Sequence, residues 1–465
     1  MKRPNIVLIY TDQQRWDALG VNGNTEIITP NLDRLAKQGV NFNRYFVNNP
    51  LCMPSRVSML TGQYPSTLKI THMGVPVPDS TVTVAHMLKN YGYITANIGK
   101  LHFLPHANRD HRTVHPCYGF DHLEISDEPG SYEDAYRAWV RRKAPEELDK
   151  ISLGLPPAAA VWQKTMGVQD GIVHPVREPR HAQAFASRDD LTHSAFVSEQ
   201  TIEFIEQHQN ETFMCIAGFY SPHAPWIVPQ TYLDLYDQEK LSLPQYPEDI
   251  NSKRTGERFS DEELRSVKHG YYAMITEVDH YVGKIMEKLE SLGIADNTLV
   301  VFTSDHGEFL GEYLRYGKGY PAPDCVSRVP LIMSCPQGSS AHGTTTSQLV
   351  EGVDIVPTLL EAAGIPMHPQ LQGQSVFGVL SGQSVKEKAC VITEFHQWKS
   401  IRTDRFRYIA EVSGKESLFD LERSALEYEN LAEEAEYQEV IAEMRGLLLK
   451  KLLQIEAPLP RDWAY

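Results

Sequence analysis

Apolar runs alternate with helix-like patterns along the first three quarters of the chain. Runs of apolar and β-branched residues predict buried strands at residues 5–10, 93–98, 213–219 and 299–303. Apolar positions at helical spacing predict helices at residues 30–37, 83–91 and 353–363, the first and last closed by Gly39 and Gly364. This alternation indicates the α/β class, with a large, mostly parallel sheet flanked by helices.

Polar side chains suited to catalysis or metal binding follow each of the four predicted strands. In chain order they are Asp12 with Gln13, Lys100 with His102, His223, and Asp305 with His306. In open α/β sheets, ligands bind outside the carboxyl ends of the strands. We therefore expect these sequence-distant residues to share one site.

The remaining segments have a weaker or different pattern. Residues 106–195 contain many His, Pro and Arg without clean periodicity, which predicts long loops over the site that would set substrate specificity. After about residue 370, short polar strands are predicted at 391–395, 400–402 and 408–412. A closing amphipathic helix carries apolar residues at helical spacing: Val440, Met444, Leu447 and Leu448. We expect a catalytic domain over residues 1–370 and a smaller C-terminal α+β subdomain over residues 371–465.

Composition narrows the possible partners. The formal net charge of −16 on 465 residues argues against nucleic acid, because no basic field is present to release counterions. No transmembrane helix is indicated, and the apolar run at residues 6–10 is too short for a signal-peptide core, which predicts a cytoplasmic protein without membrane partners. Six scattered cysteines without C-x-x-C spacing disfavour disulfides or structural zinc. An acidic chain that acts on an anion must build positive charge locally.

Cys52 stands in the most informative local pattern. It opens Cys52-Met53-Pro54-Ser55-Arg56, and Thr61-Gly62 follow. Pro54 suits the first turn of a short helix and Gly62 its end, so Cys52 would lie at a helix N-terminus that favours an anion. A lone cysteine is usually a buried structural residue; the surrounding pattern favours a chemical role.

This C-x-P-S-R element with the later Thr-Gly resembles the sulfatase family of the alkaline-phosphatase-like superfamily. The resemblance extends from residues 5–7 to residues 418–421. It implies that a maturation enzyme oxidises Cys52 to formylglycine. One hydroxyl of the hydrated aldehyde would attack sulfur, and the second would collapse to expel sulfate, an exit that a thiolate adduct lacks.

The resemblance also implies a divalent metal site. Its ligands would be Asp12, Gln13, Cys52, Asp305 and His306. Gln13 departs from the Asp-Asp pair of many members and removes one negative charge, although an amide oxygen still binds a hard cation. Ca²⁺ is the first expected ion; Mg²⁺ and Mn²⁺ remain alternatives.

Five further residues receive catalytic roles through the resemblance. Lys100 and Lys318 would hold the sulfate group, and Arg56 would brace the nucleophile. His102 would bond the formylglycine hydroxyl and accept its proton, and His223 would protonate the leaving oxygen. His72 matches a substrate contact only loosely and is equally consistent with a loop histidine.

These residues indicate an enzyme, a sulfuric ester hydrolase acting on a sulfate monoester of a sugar, an aryl alcohol or another small alcohol. A phosphonate monoester or phosphodiester hydrolase of the same superfamily is the nearest alternative, since an Asp-Gln pair and an Asp-His pair also occur there. The intact C-x-P-S-R and the Lys-x-His element at Lys100 favour sulfate. A catalytically silent, anion-binding relative is a third alternative. A homo-oligomer is possible.

Overall fold

The computed structural model describes residues 3–106, 113–166, 172, 174–254, 256–335 and 341–457. Its strands are β1 (Asn5–Thr11), β2 (Val40–Phe42), β3 (Tyr45–Phe46), β4 (Ile94–Gly99), β5 (His122–Ile125), β6 (Gln183–Ala184), β7 (Phe213–Gly218), β8 (Ile227–Val228), β9 (Thr298–Ser304), β10 (Arg328–Val329), β11 (Leu331–Ser334), β12 (Thr344–Thr346), β13 (Val350–Glu351), β14 (Val391–Phe395), β15 (Trp398–Arg402), β16 (Phe406–Glu411) and β17 (Glu416–Asp420). Its α-helices are α1 (Pro30–Gln38), α2 (Cys52–Thr61), α3 (Pro65–Leu68), α4 (Val84–Lys89), α5 (Ala135–Lys143), α6 (Pro157–Met166), α7 (His193–Gln207), α8 (Gln230–Leu233), α9 (Glu248–Asn251), α10 (Asp261–Ser291), α11 (Asp324–Ser327), α12 (Ile355–Ala362), α13 (Phe377–Leu380) and α14 (Gln438–Ile455).

The largest sheet within the described residues has eight strands in the order β12-β2-β11-β9-β1-β7-β4-β5. Strand β1 runs parallel to both β7 and β9, and β4 runs parallel to β5 and β7. Strand β11 is antiparallel to its neighbours β9 and β2. The four strands predicted from apolar runs are the four adjacent strands β9, β1, β7 and β4, which confirms a mostly parallel α/β sheet.

Helices cover both faces of this sheet. Along β1, Leu8 packs into one core with residues of α2, α4 and α12. Its neighbour Ile9 packs into a second core with residues of α1, α7 and α10. All seven residues of β1 are buried. A strand that is covered on both sides reads as a continuous apolar run, which is why periodicity of two was absent from the sequence.

A smaller C-terminal unit is built on the antiparallel sheet β14-β15-β16-β17. Helix α14 covers it through Ile441, Met444 and Leu448. Tyr64 and Val353 of the larger part join the same apolar cluster, so the two parts share a packed interface. The predicted small α+β unit is confirmed; strand β17 was not predicted, and the domain boundary after residue 370 stays a prediction.

The prediction of long loops over residues 106–195 was wrong in part. Strand β5 extends the main sheet at its edge, helices α5 and α6 lie in this region, and α7 begins inside it. Strand β5 was not predicted because it lies at the edge of the sheet, where it is half-exposed and carries polar residues such as His122 and Glu124 instead of an apolar run. Residues 107–112, 167–171 and 173 of this region lie outside the described residues. No described helix is both long and apolar enough to cross a bilayer.

Candidate active site

The carboxyl ends of the four central strands meet at one place. Thr11 at the end of β1 pairs with Ser304 at the end of β9, so Asp12 and Asp305 follow side by side. Lys100 follows β4, and its Nζ lies 2.7 Å from Asp12 Oδ2. The sequence-distant residues are therefore brought together as the strand-end argument predicts.

Asp12, Cys52, Asp305 and His306 form a cluster suited to a metal ion. One potential ligand atom of each lies within 4.8 Å of the others, and all four residues are buried. The Nδ1 of His306 lies 2.8 Å from the carbonyl oxygen of Gly307, which fixes a proton on Nδ1 and leaves the Nε2 lone pair for a cation. Two carboxylates and one correctly oriented imidazole fit a divalent cation.

Gln13 lies beside this cluster, and Glu308 holds it there. The backbone N–H of Gln13 donates to Asp305 Oδ1 at 3.0 Å, and its side-chain Nε2 donates to the Glu308 carboxylate. With Nε2 engaged, Oε1 is the amide atom left for a cation. Burial raises the pKa of Glu308 to about 7. Sequence reasoning missed this role of Glu308, although its place directly after Asp305-His306-Gly307 was visible.

Cys52 is the first residue of helix α2, where the N-terminal backbone dipoles favour an anion. Its Sγ lies 3.2 Å from His306 Nε2 and 3.9 Å from Asp12 Oδ1. Burial, with the neighbouring Asp12 carboxylate, raises the pKa of the Cys52 thiol to about 11. The unmodified side chain is therefore a neutral thiol at pH 7, a weak nucleophile in this position.

Arg56 lies one helical turn after Cys52 and is fully buried. Its Nε donates to Asp305 Oδ2 at 2.7 Å, and one terminal nitrogen donates to Asp12 Oδ2 at 3.1 Å. The other terminal nitrogen donates to the Lys100 carbonyl oxygen at 2.9 Å. Each of its three nitrogens thus makes one of these contacts, and the bracing of the nucleophile by Arg56 stays a prediction.

Lys318 approaches the cluster from the loop before α11. Its Nζ lies 2.5 Å from Cys52 Sγ and 2.9 Å from His306 Nε2. Burial opposes the ionisation of Asp12 most strongly, yet the cations Lys100, Lys318 and Arg56 hold its pKa well below its usual range. These cations provide the local positive field that the acidic chain lacks overall.

His102 and His223 flank the cluster. His102 is 3% exposed, and within the described part of the chain neither ring nitrogen has a hydrogen-bond partner. Burial, the nearby His106 and Lys100 hold the pKa of His102 well below its usual value, so the ring is neutral. His223 Nδ1 lies 2.7 Å from the Ala224 carbonyl oxygen, which places the proton of the neutral ring on Nδ1.

His72, the loosely matched substrate contact, lies beside the C-terminal unit. It is exposed, and its ring lies 4.8 Å from that of His396 in the C-terminal unit. Among the described residues no hydrogen bond or ion pair joins it to Asp12, Cys52 or Asp305. A substrate contact by His72 stays a prediction.

Comparison with known proteins agrees with this geometry. The profile of the sulfatase family matches residues 4–365, and a profile described as "N-sulphoglucosamine sulphohydrolase, C-terminal" matches residues 311–454. The chain belongs to the sulfatase family. This membership places it among the sulfuric ester hydrolases.

Individual relatives of this sulfatase-family chain span nearly its whole length. An arylsulfatase of Clostridium perfringens is 29% identical, over 97% of this chain and 94% of that protein. A choline-sulfatase of Rhizobium meliloti is 28% identical, over 93% of this chain and 83% of that protein. A phosphonate monoester hydrolase of Agrobacterium radiobacter, at 24% identity, superposes with a TM-score of 0.80 over 97% of this chain and 96% of that one, which shows the shared fold.

Proposed function

We propose that this protein hydrolyses a sulfate monoester of a small alcohol, with a formylglycine made from Cys52 as nucleophile and a divalent cation beside it. The observation that carries the proposal is the buried cluster of Asp12, Cys52, Asp305 and His306. Relatives named arylsulfatase and choline-sulfatase support sulfate as the transferred group. The alcohol portion is a sugar, an aryl ring or a similar small group.

The donor set favours Ca²⁺ first and Mg²⁺ or Mn²⁺ next, because it is rich in oxygen and includes one imidazole. Asp12, Asp305 and His306 would hold the ion, with Gln13 Oε1 and the nucleophile completing the set. When bound, such a cation stabilises negative charge at the nucleophile as a Lewis acid. Arg56 keeps the two carboxylates in place.

The chain's other residues act on the substrate. Lys318 lies against the Cys52 side chain, so its ammonium would meet a sulfate oxygen during attack. Lys100 would hold a second sulfate oxygen from the opposite side of Asp12. The negative charge of the bound ester would favour a second proton on the His223 ring, and His223 would then protonate the leaving oxygen from Nε2, since the Nδ1 proton is held by Ala224. His102 would take the formylglycine hydroxyl proton during sulfate release, because its neutral ring has one nitrogen with a lone pair that can accept it.

The test compares matured protein on 4-nitrophenyl sulfate and 4-nitrophenyl phenylphosphonate. We expect a larger kcat/KM on the sulfate. A preference for the phosphonate would favour the activity named for the structural neighbour from Agrobacterium radiobacter, a phosphonate monoester hydrolase. No turnover of either would indicate a silent anion-binding protein.

The second test is mass spectrometry of the peptide containing Cys52, from protein purified from its natural host. A peptide carrying formylglycine supports the proposed nucleophile. Unmodified cysteine there would contradict it. The same chain made with and without a co-expressed maturation enzyme is the matched control, since only the matured form should hydrolyse sulfate esters.

A further inference from the structure

Tyr220 lies at the junction between the sulfate-binding Lys100 and the acid His223. It follows β7 and is 1% exposed. Both its phenol ring and its hydroxyl contact active-site residues. Lys100 Nζ lies over the phenol ring, 4.7 Å from its centroid. The hydroxyl lies 3.1 Å from His223 Nδ1. One residue therefore contacts two groups that meet opposite ends of the bond to be broken.

Arg177 fixes the Tyr220 hydroxyl from the far side. A terminal nitrogen of Arg177 donates to Tyr220 Oη at 2.9 Å and to the Ala224 carbonyl oxygen at 2.6 Å. Tyr220 Oη in turn donates to the same carbonyl at 2.7 Å. The other terminal nitrogen lies 3.7 Å from Glu128, whose carboxylate is also 3.9 Å from Lys100 Nζ. Arg177 is therefore linked to His223 through Tyr220 and to Lys100 through Glu128.

We propose that Tyr220 and Arg177 are positioning residues: they hold His223 and Lys100 in the orientation that is needed when the alcohol leaves. The inference rests on the proposed function. The His223 ring, neutral in the free protein, takes a second proton from water at Nε2 when the anionic ester binds beside it. As the S–O bond breaks, its electron pair stays on the leaving oxygen, which takes this Nε2 proton and returns the ring to neutral imidazole. That transfer requires the ring to stay in one orientation, and the hydrogen bonds around Nδ1 supply it.

The hydroxyl and the ring of Tyr220 have separable effects. Tyr220→Phe keeps the ring under Lys100 and removes the bonds to His223 and Arg177. Tyr220→Leu removes the aromatic ring as well as these hydrogen bonds. We expect Tyr220→Phe to lower kcat with little change in KM, and Tyr220→Leu to raise KM as well, because Lys100 loses the face on which it rests.

Leaving-group dependence separates positioning from a general structural effect. On a series of aryl sulfates, a good leaving phenol departs without a proton, whereas a poor one requires it. Tyr220→Phe should therefore lose roughly 10- to 100-fold on phenyl sulfate and little on dinitrophenyl sulfate, which is a part of the roughly 10²- to 10⁴-fold that general acid catalysis contributes. Arg177→Met should show the same pattern more weakly. In a His223→Ala background, Tyr220→Phe should add no further leaving-group dependence.

Tyr93→Phe is the matched control, because Tyr93 is also buried and its hydroxyl donates to the remote Pro4 carbonyl oxygen. It should retain the wild-type dependence. If Tyr220→Phe shows the same leaving-group dependence as wild type, the positioning role is wrong; Arg177→Met decides the question if the tyrosine variant does not fold. The proposed function would still stand in that case, provided that the wild-type protein hydrolyses sulfate esters. A wild-type protein that hydrolyses neither sulfates nor phosphonates would refute the proposed function, and this inference with it.

Discussion

The ammonium of Lys318 lies 2.5 Å from the sulfur of Cys52, although 266 residues separate the two along the chain. Lys318 also contacts His306, so its charge is directed at the position where the formylglycine hydroxyls would replace the sulfur. Burial opposes this charge most strongly, but the Asp12 and Asp305 carboxylates raise the pKa of Lys318. It therefore stays protonated at neutral pH.

Lys318→Met should lower kcat by roughly 10²- to 10³-fold, the usual cost of removing one preorganised donor from a charged transition state. The fold should persist, because methionine fills a similar volume. Steady-state rates on 4-nitrophenyl sulfate measure the effect. Lys240→Met, at a residue whose side chain is 83% exposed, is the control and should leave the rate unchanged. Near-normal turnover by Lys318→Met would remove this lysine from the mechanism.

Cys52→Ala should abolish turnover and leave the fold intact, because the role of the side chain is chemical. Circular dichroism and the thermal midpoint check the fold, and product release from matured protein checks the rate. Cys215→Ala is the matched control, since Cys215 is equally buried in the middle of β7 and should affect stability rather than chemistry. Substantial residual activity in Cys52→Ala would contradict the proposed nucleophile.

Arg56→Met should destabilise the protein. It leaves the Asp12 and Asp305 carboxylates buried without the guanidinium, and breaking a buried pair costs roughly 3–5 kcal/mol. Urea unfolding without added cation measures this. Arg405→Met is the control, because the Arg405 side chain is 48% exposed and its pair with Asp420 should contribute little to stability. If CaCl2 restores much of the lost stability, the two carboxylates bind the ion; no recovery would argue against that site.

The sequence predicted the four central strands because each is an apolar run buried on both faces, and it predicted the cluster because the motifs at Cys52 and Asp305 are local. Helix α10 (Asp261–Ser291) was not predicted. Glu308, Arg177 and Tyr220 were missed for a different reason. Their partners are far away in sequence, so a residue such as Arg177 shows no local signal before Tyr220 and Ala224 are folded against it. For Arg56, the motif identified the residue but the fold decided its partners.

Glu308→Gln should weaken cation binding. Its carboxylate accepts the Gln13 amide hydrogen, and losing such an outer partner typically costs 10- to 100-fold in metal affinity. The dependence of the thermal midpoint on CaCl2 concentration reports the affinity without any enzymatic readout. Glu351→Gln, at another fully buried carboxylate, is the control and should keep the wild-type affinity. Equal affinity in both variants would show that Gln13 needs no support from Glu308.

The free energy of unfolding should fall in acid as the stabilisation by the ionised Glu351 carboxylate is lost. Its buried carboxylate accepts hydrogen bonds from Lys388 at 2.6 Å and Lys451 at 2.9 Å, which join the two parts of the chain. Burial opposes ionisation most strongly, yet these two ammonium groups lower the pKa of Glu351 from 4.5 to about 2. Because the folded pKa is depressed, the stabilisation, on the order of 3 kcal/mol, is complete above pH 4.5 and is lost as pH falls towards 2.

Urea unfolding at pH 7, 4 and 3 tests this dependence with Glu351→Gln. The variant should be less stable than wild type at pH 7, and the difference should shrink on acidification because the Glu351 carboxylate of the unfolded wild-type chain takes up a proton below pH 4.5, whereas the folded one stays ionised until the pH approaches 2. Glu422→Gln, at a residue whose side chain is 71% exposed, should follow the wild-type curve throughout. The free energies of unfolding of wild type and Glu351→Gln could instead differ by a constant amount from pH 7 to pH 3. In that case the carboxylate charge does not stabilise the junction, and only its hydrogen bonds do.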